Sequence, residues 1–171
     1  MLLFARQIDE PMPVIGKLPS PPDGASWAAS AKVIRHVTYK EDGAPIASGE
    51  SYSHLFVIHV SGGAPRQLTS KKANHHQAQW TPDGKSIIFT ADFKTTSAID
   101  INNEQIYKMD VLSGKTEQVT TKRGPYNHVV VSPDGNRIAY TGYEDKFLGY
   151  QQPEIQIIDM KGNHQQLLTD K

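Results

Sequence analysis

Short apolar segments alternate along this chain with polar clusters of Gly, Pro, Asp and Asn. The segments are rich in Val, Ile, Thr, Tyr and Phe, as in Ser-Ile-Ile-Phe-Thr at 86–90 and Arg-Ile-Ala-Tyr-Thr at 137–141. Residues of these types favour extended strands, and the intervening clusters are typical of turns. No segment carries the apolar stripe, repeating about every 3.6 residues, that an amphipathic helix needs. The pattern therefore predicts an all-β chain.

The apolar segments and the turns recur in a fixed order. Trp-Thr-Pro-Asp-Gly at 80–84 returns as Val-Ser-Pro-Asp-Gly at 131–135, an offset of 51 residues. Gln-Leu-Thr at 67–69 returns as Gln-Val-Thr at 118–120 and as Leu-Leu-Thr at 167–169. Such a series indicates a repeat architecture, and four short antiparallel strands in a repeat of about 40 to 50 residues are typical of a β-propeller blade.

The repeats divide the chain into a connector and three blades. We predict a Pro-rich connector at 1–32, which holds five of the 11 prolines, with a strand remnant at Leu2 to Ala5. Three blades are predicted to follow at about 33–69, 76–120 and 127–169. The predicted strands lie at about 33–39, 44–48, 54–60, 65–69, 76–80, 86–91, 105–111, 115–120, 127–131, 137–142, 154–160 and 164–169. The predicted fold is therefore a partial propeller of about three four-stranded blades.

The Pro-Asp-Gly turns also predict backbone conformation. Proline presets φ at the second turn position, aspartate bonds to its own backbone, and glycine supplies a positive φ without steric cost. We therefore predict positive φ at Gly84 and Gly135. A side chain at either position should destabilise the fold by about 1 kcal/mol or more.

The repeat resembles the TolB-like, WD-related propeller repeat over 54–90, 105–141 and 154–169. Ser-His-Leu-Phe-Val at 53–57 and Gly-Gly-Ala-Pro-Arg-Gln-Leu-Thr at 62–69 further resemble the N-terminal propeller of the prolyl oligopeptidase family of serine peptidases, its acylaminoacyl-peptidase-like members above all. The resemblance implies a non-catalytic propeller that covers a peptidase active site and filters peptide substrates by size.

The chain lacks the Gly-x-Ser-x-Gly motif that presents the nucleophile of an α/β-hydrolase. The nearest segment, Gly-Glu-Ser-Tyr-Ser at 49–53, lacks the final glycine and precedes a predicted strand. The resemblance therefore implies that the catalytic Ser, Asp and His lie on a C-terminal α/β-hydrolase domain absent from this chain. That domain and peptide substrates are the expected partners. We assign no catalytic, cofactor-binding or metal-binding residue to the chain, and its substrate-binding residues remain unassigned.

Two other functions fit the same repeat. One is a TolB-like scaffold that recruits a protein partner without any catalytic domain, and the other is a carbohydrate-active propeller. The sequence that follows Lys171 in the source gene would discriminate between the peptidase and the scaffold. A Gly-x-Ser-x-Gly motif there selects the peptidase, whereas further blades alone favour the scaffold.

The composition excludes some classes of partner. The 18 Lys and Arg residues balance the 18 Asp and Glu residues, so the formal net charge is 0. That balance lacks the electrostatic footprint of a nucleic-acid or polybasic membrane binder, and we expect neither partner. The chain has no cysteine, which excludes disulfides and thiolate metal sites. The composition does not determine the compartment of the protein; we favour the cytoplasm, and the periplasm is the alternative.

Histidines raise the question of a metal site. Seven are present: His36, His54, His59, His75, His76, His128 and His164. Metal ligands must converge on one ion, but adjacent residues of a strand point to opposite faces, so the adjacent pair cannot share one there. We therefore predict histidines at polar surfaces or strand edges, and no metal or other cofactor.

Other candidate chemistry has a structural explanation. Ser-Gly-Lys-Thr at 113–116 resembles the end of a phosphate-binding loop, but it lacks the upstream glycine and the following helix, so we predict a hairpin turn. Asp83 and Asp134 share one place in the repeat, which predicts that they hold turns. Four aromatic residues at repeat positions are expected in the core: Trp80, Phe89, Tyr107 and Tyr140. Three residues lie in an inter-blade connector, where propellers often bind partners: Arg123, Tyr126 and Asn127.

The number of blades predicts exposed apolar surface. A blade in a repeat array buries its faces only against its neighbours. Propellers close with about four to eight blades, and this chain supplies about three. We therefore predict an open arc whose first and last blades each expose one apolar face, and self-association through those faces.

Overall fold

The computed structural model describes residues 1–11, 16, 19–28, 50–94, 100 and 102–169. Over these residues the secondary structure is entirely β, which confirms the predicted fold class. The strands are β1 (Leu2–Asp9), β2 (Ser51–Ile58), β3 (Arg66–Gln67), β4 (His75–Trp80), β5 (Ser86–Ala91), β6 (Gln105–Asp110), β7 (Thr116–Gln118), β8 (Asn127–Val131), β9 (Arg137–Gly142), β10 (Glu154–Asp159) and β11 (Gln166–Leu167). Nothing in the described ranges forms a helix able to cross a bilayer.

The strands form three antiparallel sheets, which we call the first blade (β1–β3), the second blade (β4–β7) and the third blade (β8–β11). In the second and third blades the four strands follow one another across the sheet in chain order. The predicted strands of 76–120 and 127–169 lie on these elements within a few residues. Those predicted at 33–39 and 44–48 fall outside the described residues.

The first blade begins with a strand from the N-terminus of the chain. β1 pairs with β2 along its whole length, from Leu2 opposite Ile58 to Asp9 opposite Ser51. Phe4 stacks on its cross-strand partner Phe56 with ring centroids 5.6 Å apart. β1 lies beside β2 as β5 lies beside β6, so it fills the second-strand position of the first blade. The segment expected at Leu2 to Ala5 thus extends to Asp9, while the division at residue 32 stays a prediction.

Side chains of the repeat tie each Pro-Asp-Gly turn together. In the second blade Asp83 accepts hydrogen bonds from the Thr81 hydroxyl, at 2.6 Å, and from the Lys85 backbone N–H, at 3.1 Å. Asp134 makes the same two kinds of bond in the third blade. Gly84 and Gly135 have φ of 65° and 72°, which confirms the positive φ predicted for both. The two aspartates therefore act in the turns, as their shared place in the repeat predicts.

A threonine near the end of each repeat completes the backbone hydrogen bonding of the third strand. Its hydroxyl oxygen accepts the backbone N–H of a residue 14 positions earlier. The bonds run from Leu55 to Thr69 and from Ile106 to Thr120, each at 2.9 Å, and from Ile155 to Thr169 at 3.2 Å. The fourth strand of each blade is short and does not pair with this residue. The threonine therefore satisfies a backbone N–H of the third strand that would otherwise lack a partner. We call this bond the threonine tie.

Two apolar interfaces hold the blades together. The first interface joins the first and second blades around Leu55, Ile87, Phe89, Ala91, Tyr107, Met109 and Val111. The second interface joins the second and third blades around Ile88, Ile106, Val119, Tyr126, Val129, Ile138, Tyr140 and Ile158. β5 is buried at every residue because its sheet has a neighbour on both faces. β9 alternates between buried and accessible residues, as expected of a strand covered on one face.

Candidate functional site

The second and third blades meet at their first strands. β4 and β8 are edge strands of their sheets, and side chains of β4 reach across to β8. The opposite edges of these sheets are β7 and β11. Because propeller blades are arranged around a central channel, the edges that converge face it. We call the adjoining edges of β4 and β8 the inner edge.

Both strands of the inner edge contain a bulge with a strained residue. Gln77 and His128 have φ of 50° and 51°, in the left-handed region that residues with a Cβ rarely adopt. They lie 51 residues apart and so occupy the same place in two repeats. The pairing of β4 with β5, and of β8 with β9, shifts register at these residues. A bulge redirects a side chain, and strained positions of this kind concentrate at functional sites.

Two glutamines of β4 bridge the gap between the blades. The Gln77 side-chain oxygen accepts the backbone N–H of Val129 at 3.2 Å, and the Gln79 oxygen accepts that of Val131 at 3.4 Å. Gln77 also donates from Nε2 to Asn127 Oδ1 at 2.9 Å. These bonds satisfy alternate N–H groups of an edge strand, which would otherwise be open for pairing. The inner edge is therefore both closed and polar.

His128 is exposed, and its orientation is fixed by Thr141. The Thr141 hydroxyl donates to the Asn127 carbonyl at 3.2 Å, so its oxygen is left to accept. His128 Nδ1 lies 2.9 Å from that oxygen, and the tautomer that carries the proton on Nδ1 donates to it. In that tautomer the lone pair of Nε2 is directed away from Thr141. The inner edge thus presents an acceptor that makes no hydrogen bond within the described residues.

Two other histidines come together, but in the core of the first interface. His54 and His75 are buried, with ring centroids 5.4 Å apart. His75 Nδ1 lies 2.9 Å from the Ser53 carbonyl, and the ring also contacts Phe89 and Phe93. Burial lowers the pKa of His75 to about 4, so the ring is uncharged at neutral pH. These rings pack against other rings, which is a structural role.

The remaining histidines are dispersed. His76 is exposed whereas its neighbour His75 is buried, as the alternation of a strand requires. His59 and His164 lie in turns, with Nδ1 beside Ser61 Oγ and Asp159 Oδ2 respectively. His36 falls outside the described residues. Across the described ranges no three His, Asp or Glu side chains gather as a set of metal ligands.

The structure assigns the other motifs to local structure. Asp110 accepts bonds from the backbone N–H and hydroxyl of Ser113, both at 2.7 Å, and strand β7 follows rather than a helix. Residues 113–116 are therefore a hairpin turn. Ser51 and Ser53 lie in strand β2, so 49–53 is no strand-to-helix elbow. The aromatic residues predicted for the core are there: Phe89, Tyr107 and Tyr140 are buried, and Trp80 packs against the first interface.

Arg123 links two loops on one side of the molecule. It follows the second blade in the chain and donates to both carboxylate oxygens of Asp100 and to one of Asp145. Its guanidinium carbon lies 4.2 Å from the centre of the Phe147 ring. The hydrogen bond from Arg123 lowers the pKa of Asp100, and the Phe147 backbone N–H together with Arg123 lowers that of Asp145. Arg123, one of the three connector residues noted in the sequence, thus fixes these two loops.

The loop fixed by Arg123 presents large apolar side chains to solvent. We call residues 143–153 the aromatic loop; Phe147 and Tyr150 are 80% and 79% exposed, and Leu148 is exposed as well. Phe147 has a φ of 58°, and Asp145 accepts its backbone N–H at 2.7 Å. Gln151 holds the loop from within, accepting from Lys146 N–H and donating to the Glu144 carbonyl. An ordered loop that holds aromatic side chains in solvent is typical of a protein-binding surface.

Sequence reasoning missed most of this site. The bulges carry no Gly or Pro, so nothing in the strands β4 and β8 signals a left-handed residue. The ion pairs of Arg123 join residues 22 and 23 positions apart, which no local pattern reveals. The segment 143–153 contains three aromatic residues among polar ones, and this was the only feature of the sequence that could have indicated the exposed aromatic loop.

Known proteins share this architecture. Residues 38–171 match the TolB beta propeller domain. The structure superposes on TolB from Acinetobacter baumannii with a TM-score of 0.55, at 24% identity over 69% of this chain and 27% of that one. Uncharacterized peptidase YuxL of Bacillus subtilis is 35% identical over 63 residues, which are 37% of this chain and 9% of the relative. Uncharacterized protein Atu1656 of Agrobacterium fabrum is 31% identical over 119 residues, 70% of this chain and 33% of the relative.

The chain therefore spans a third or less of the length of these curated relatives. The domain match covers all of the second and third blades and every segment on which the resemblance was based. The chain belongs to the TolB β-propeller family.

Proposed function

We propose that this chain is the propeller portion of a serine peptidase of the prolyl oligopeptidase family, and that it controls the access of peptides to a hydrolase domain. The 35% identity to a protein named as a peptidase carries the proposal. The peptidase-like motifs at 53–57 and 62–69 support it. Because the chain has no Gly-x-Ser-x-Gly motif, the nucleophile would lie on the hydrolase domain of a longer polypeptide.

The inner edge is suited to controlling access. Gln77 and Gln79 close the gap between the second and third blades, so a peptide would have to pass along the channel rather than between blades. The groups along this edge are amides and imidazoles, which form hydrogen bonds with any peptide backbone. Selection would thus depend on the size of the substrate and little on its charge.

Turnover by two proteins tests the peptidase assignment. We expect this chain alone to leave an aminoacyl chromogenic substrate intact. The longer product of the reading frame that contains it should hydrolyse the substrate, and a serine-directed phosphonate should abolish that activity. A longer product without such activity would refute the proposal. Inhibitable turnover by the chain alone would refute it as well.

Gating is tested by loosening the inner edge in the longer enzyme. The double substitution Gln77→Ala and Gln79→Ala removes both bridges to β8. We expect the ratio of turnover of a long peptide to that of a short one to rise. Gln166→Ala, which alters an exposed glutamine of the outer edge strand β11, is the matched control and should leave the ratio unchanged. An unchanged ratio in the double variant would rule out control at this edge.

A TolB-like scaffold is the second candidate, and the aromatic loop is the observation that favours it. Phe147 and Tyr150 form an exposed surface that a peptidase channel does not require. If the longer product consists of further blades without hydrolase activity, the scaffold explains the loop better. In the peptidase, the same loop is a candidate contact for the hydrolase domain.

A further inference from the structure

The first blade contains no counterpart of β4 or β8 in the part of the chain that the structure describes. The second blade runs β4-β5-β6-β7 and the third runs β8-β9-β10-β11, whereas the first runs β1-β2-β3. β1 fills the second-strand position, and the side of β1 that faces away from β2 has no paired strand within the described ranges. An edge of this kind carries a row of backbone N–H and C=O groups that are open to pairing.

The register of β1 shows where a strand on this edge would join the chain. Ala5 pairs with the residue of the first blade that makes the threonine tie, and Thr90 pairs with its counterpart in the second blade. Counting back four residues from each places Met1 at the position of Ser86. In the second blade, β4 and its Pro-Asp-Gly turn lead through Lys85 to Ser86. A strand and turn of the same kind would therefore lead to Met1.

A cavity lies where that turn would pack. The turns of the second and third blades touch, since a Cβ on Gly135 would lie 3.5 Å from Pro82 Cδ. Gly84 has the place of Gly135 in the second blade, but a Cβ on it would meet no described atom within 4 Å. The cavity has a volume of about 460 Å³ and is lined by Met1, Trp80, Thr81, Pro82, Gly84 and Val131. The proline of a first-blade turn would occupy this space.

Strand β4 has donors without acceptors on the side of the first blade. Across the second interface, two glutamines of β4 accept the N–H groups of Val129 and Val131. The residues of β4 that correspond to these valines, 51 positions earlier, are Ala78 and Trp80. Their N–H groups point by this equivalence to the first blade, and no side chain in the described ranges accepts either. The buried indole Nε1 of Trp80 also lacks a partner there.

These features describe one kind of occupant. The open edge of β1 pairs with an extended strand, the two N–H groups of β4 need acceptors at alternate residues of that strand, and the cavity takes the proline of a turn. β4 has this combination itself, because it carries Gln77 and Gln79 and ends in the Pro-Asp-Gly turn at 82–84. The occupant is therefore a strand of the β4 type.

We propose that the open edge of β1 and the cavity beside Gly84 together bind one further strand of the β4 type, which is joined to Met1 by a Pro-Asp-Gly turn. The strand pairs with β1, its alternate side chains accept the N–H groups of Ala78 and Trp80, and its proline fills the cavity. The occupant belongs to the same polypeptide, because Met1 itself lines the cavity that receives the turn. The inference follows from the three sheets and does not depend on the peptidase assignment.

The test extends the full chain before Met1 with a copy of residues 74–85, which contain β4 and its turn. Because Ser86 corresponds to Met1, the copy has the register that the second blade uses. Valine replaces the tryptophan of the copy, as at Val131 in the third blade, so the two tryptophans of the chain stay the only ones. We expect a higher urea midpoint than that of the unextended chain.

NMR locates the added strand. We expect the backbone N–H groups of Ala78 and Trp80 to exchange with solvent about tenfold more slowly, because each gains an acceptor. The indole signal of Trp80 should move as the cavity fills. Trp27, whose indole donates to the Pro19 carbonyl at 2.8 Å, is the internal reference, and its signal should stay in place.

Two variants of the added segment separate its parts. A copy of residues 125–136 keeps the turn but has His128 and Val130 in place of the two glutamines. It should move the Trp80 indole signal and leave the exchange of the Ala78 and Trp80 N–H groups unchanged. A segment with the residues of 74–85 in scrambled order should do neither.

Three results would overturn the proposal. The first is an extended chain whose exchange rates and Trp80 signal match those of the unextended chain. The second is a scrambled segment that acts as the ordered one does. The third is a free peptide of the same sequence that saturates these changes at micromolar concentration, which would assign the place to a strand of another polypeptide. Each leaves the peptidase proposal untouched, since that proposal is decided by turnover of the longer protein.

Discussion

The two interfaces between blades use the same repeat positions but different chemistry. Beside its aliphatic residues, the first interface contains a cluster of five rings whose neighbouring centroids lie 4.5 to 5.8 Å apart: His54, His75, Phe89, Phe93 and Tyr107. The second interface is mainly aliphatic, with one aromatic pair, Tyr126 and Tyr140, in edge-to-face contact at 5.4 Å. The repeat therefore determines where a blade is buried, while the side chains at each boundary vary.

The difference decides how each interface responds to pH. The first interface buries an imidazole, and burial lowers the pKa of His75 to about 4. The second buries two phenols, and burial raises the pKa of Tyr126 and of Tyr140 to about 12. Charging any of these groups in the core is unfavourable. Acid therefore acts on the first interface, and the two tyrosines respond only to strong alkali.

Truncating the aliphatic core should produce the largest effect. Ile106 is fully buried in the second interface, so Ile106→Ala removes apolar contacts and leaves a cavity. We expect a loss of about 2 to 5 kcal/mol in the free energy of unfolding, measured by urea denaturation.

The third blade provides the matched control. Ile155 occupies the place of Ile106 in the next repeat but is 44% exposed. Ile155→Ala should therefore cost less than about 1 kcal/mol. Equal losses for the two variants would mean that the third blade is covered on both faces, contrary to the structure.

Acid should weaken the first interface through His75. Its pKa is about 4 in the folded chain and 6.5 in the unfolded one, so below pH 6.5 the unfolded state binds a proton that the folded state does not. Stability should fall between pH 6.5 and 4 by about 3 kcal/mol, at about 1.4 kcal/mol per pH unit, and this contribution should then level off. Urea denaturation across this range measures it.

His75→Phe isolates that contribution. The variant keeps a ring in the cluster but loses the bond to the Ser53 carbonyl, so its stability at pH 7 should be lower. Its loss of stability between pH 6.5 and 4 should be smaller by the amount that His75 supplies. If the slope matches that of the unmodified chain, another group controls the acid response.

A glycine of the third blade should be more sensitive than one in a free turn. A Cβ on Gly162, where φ is 84°, would lie 2.2 Å from the Val119 carbonyl oxygen of the second interface. We expect Gly162→Ala to cost about 2 kcal/mol, from strain and overlap together. Gly84 has φ of 65° with open space around it, so Gly84→Ala should cost about 1 kcal/mol. If the two variants lower the melting temperature equally, the overlap at Gly162 has been relieved.

The smallest effect should come from weak association of the exposed face. Ile155 and Leu168 correspond to Ile106 and Val119 of the second interface, and both are exposed. We expect light scattering at micromolar concentration to reveal self-association, and the substitution Leu168→Lys to reduce it. A stable monomer that binds no hydrophobic dye would contradict this prediction.

Much of the fold could be predicted because the strand and turn patterns recur along the sequence. The turns at 80–84 and 131–135, the strands between them and the core aromatic residues follow from local patterns. The pairing of β1 with β2 does not, because Leu2–Asp9 reaches its partner across more than 40 residues rich in proline. The sequence also identifies the family, since the repeated residues are those that fold each blade.

The candidate site was much less predictable. His128 stands out because of its backbone angle and its contact with Thr141, and neither is encoded by a nearby residue pattern. Arg123 was noted in a connector, but its partners Asp100 and Asp145 come from two different loops. Sites assembled from separate segments depend on tertiary contacts, which a single sequence does not reveal.

The threonine tie has a consequence for how such a chain could have evolved. Leu55, Ile106 and Ile155 each have their N–H satisfied by a threonine of their own repeat. A duplicated gene segment that encodes one repeat therefore also encodes the threonine that accepts this N–H. The new copy leaves no backbone N–H at this position without a hydrogen bond. Copies can then diverge in interface chemistry without first repairing their internal hydrogen bonding. The ring-lined and aliphatic boundaries described above are the kind of divergence that this independence permits.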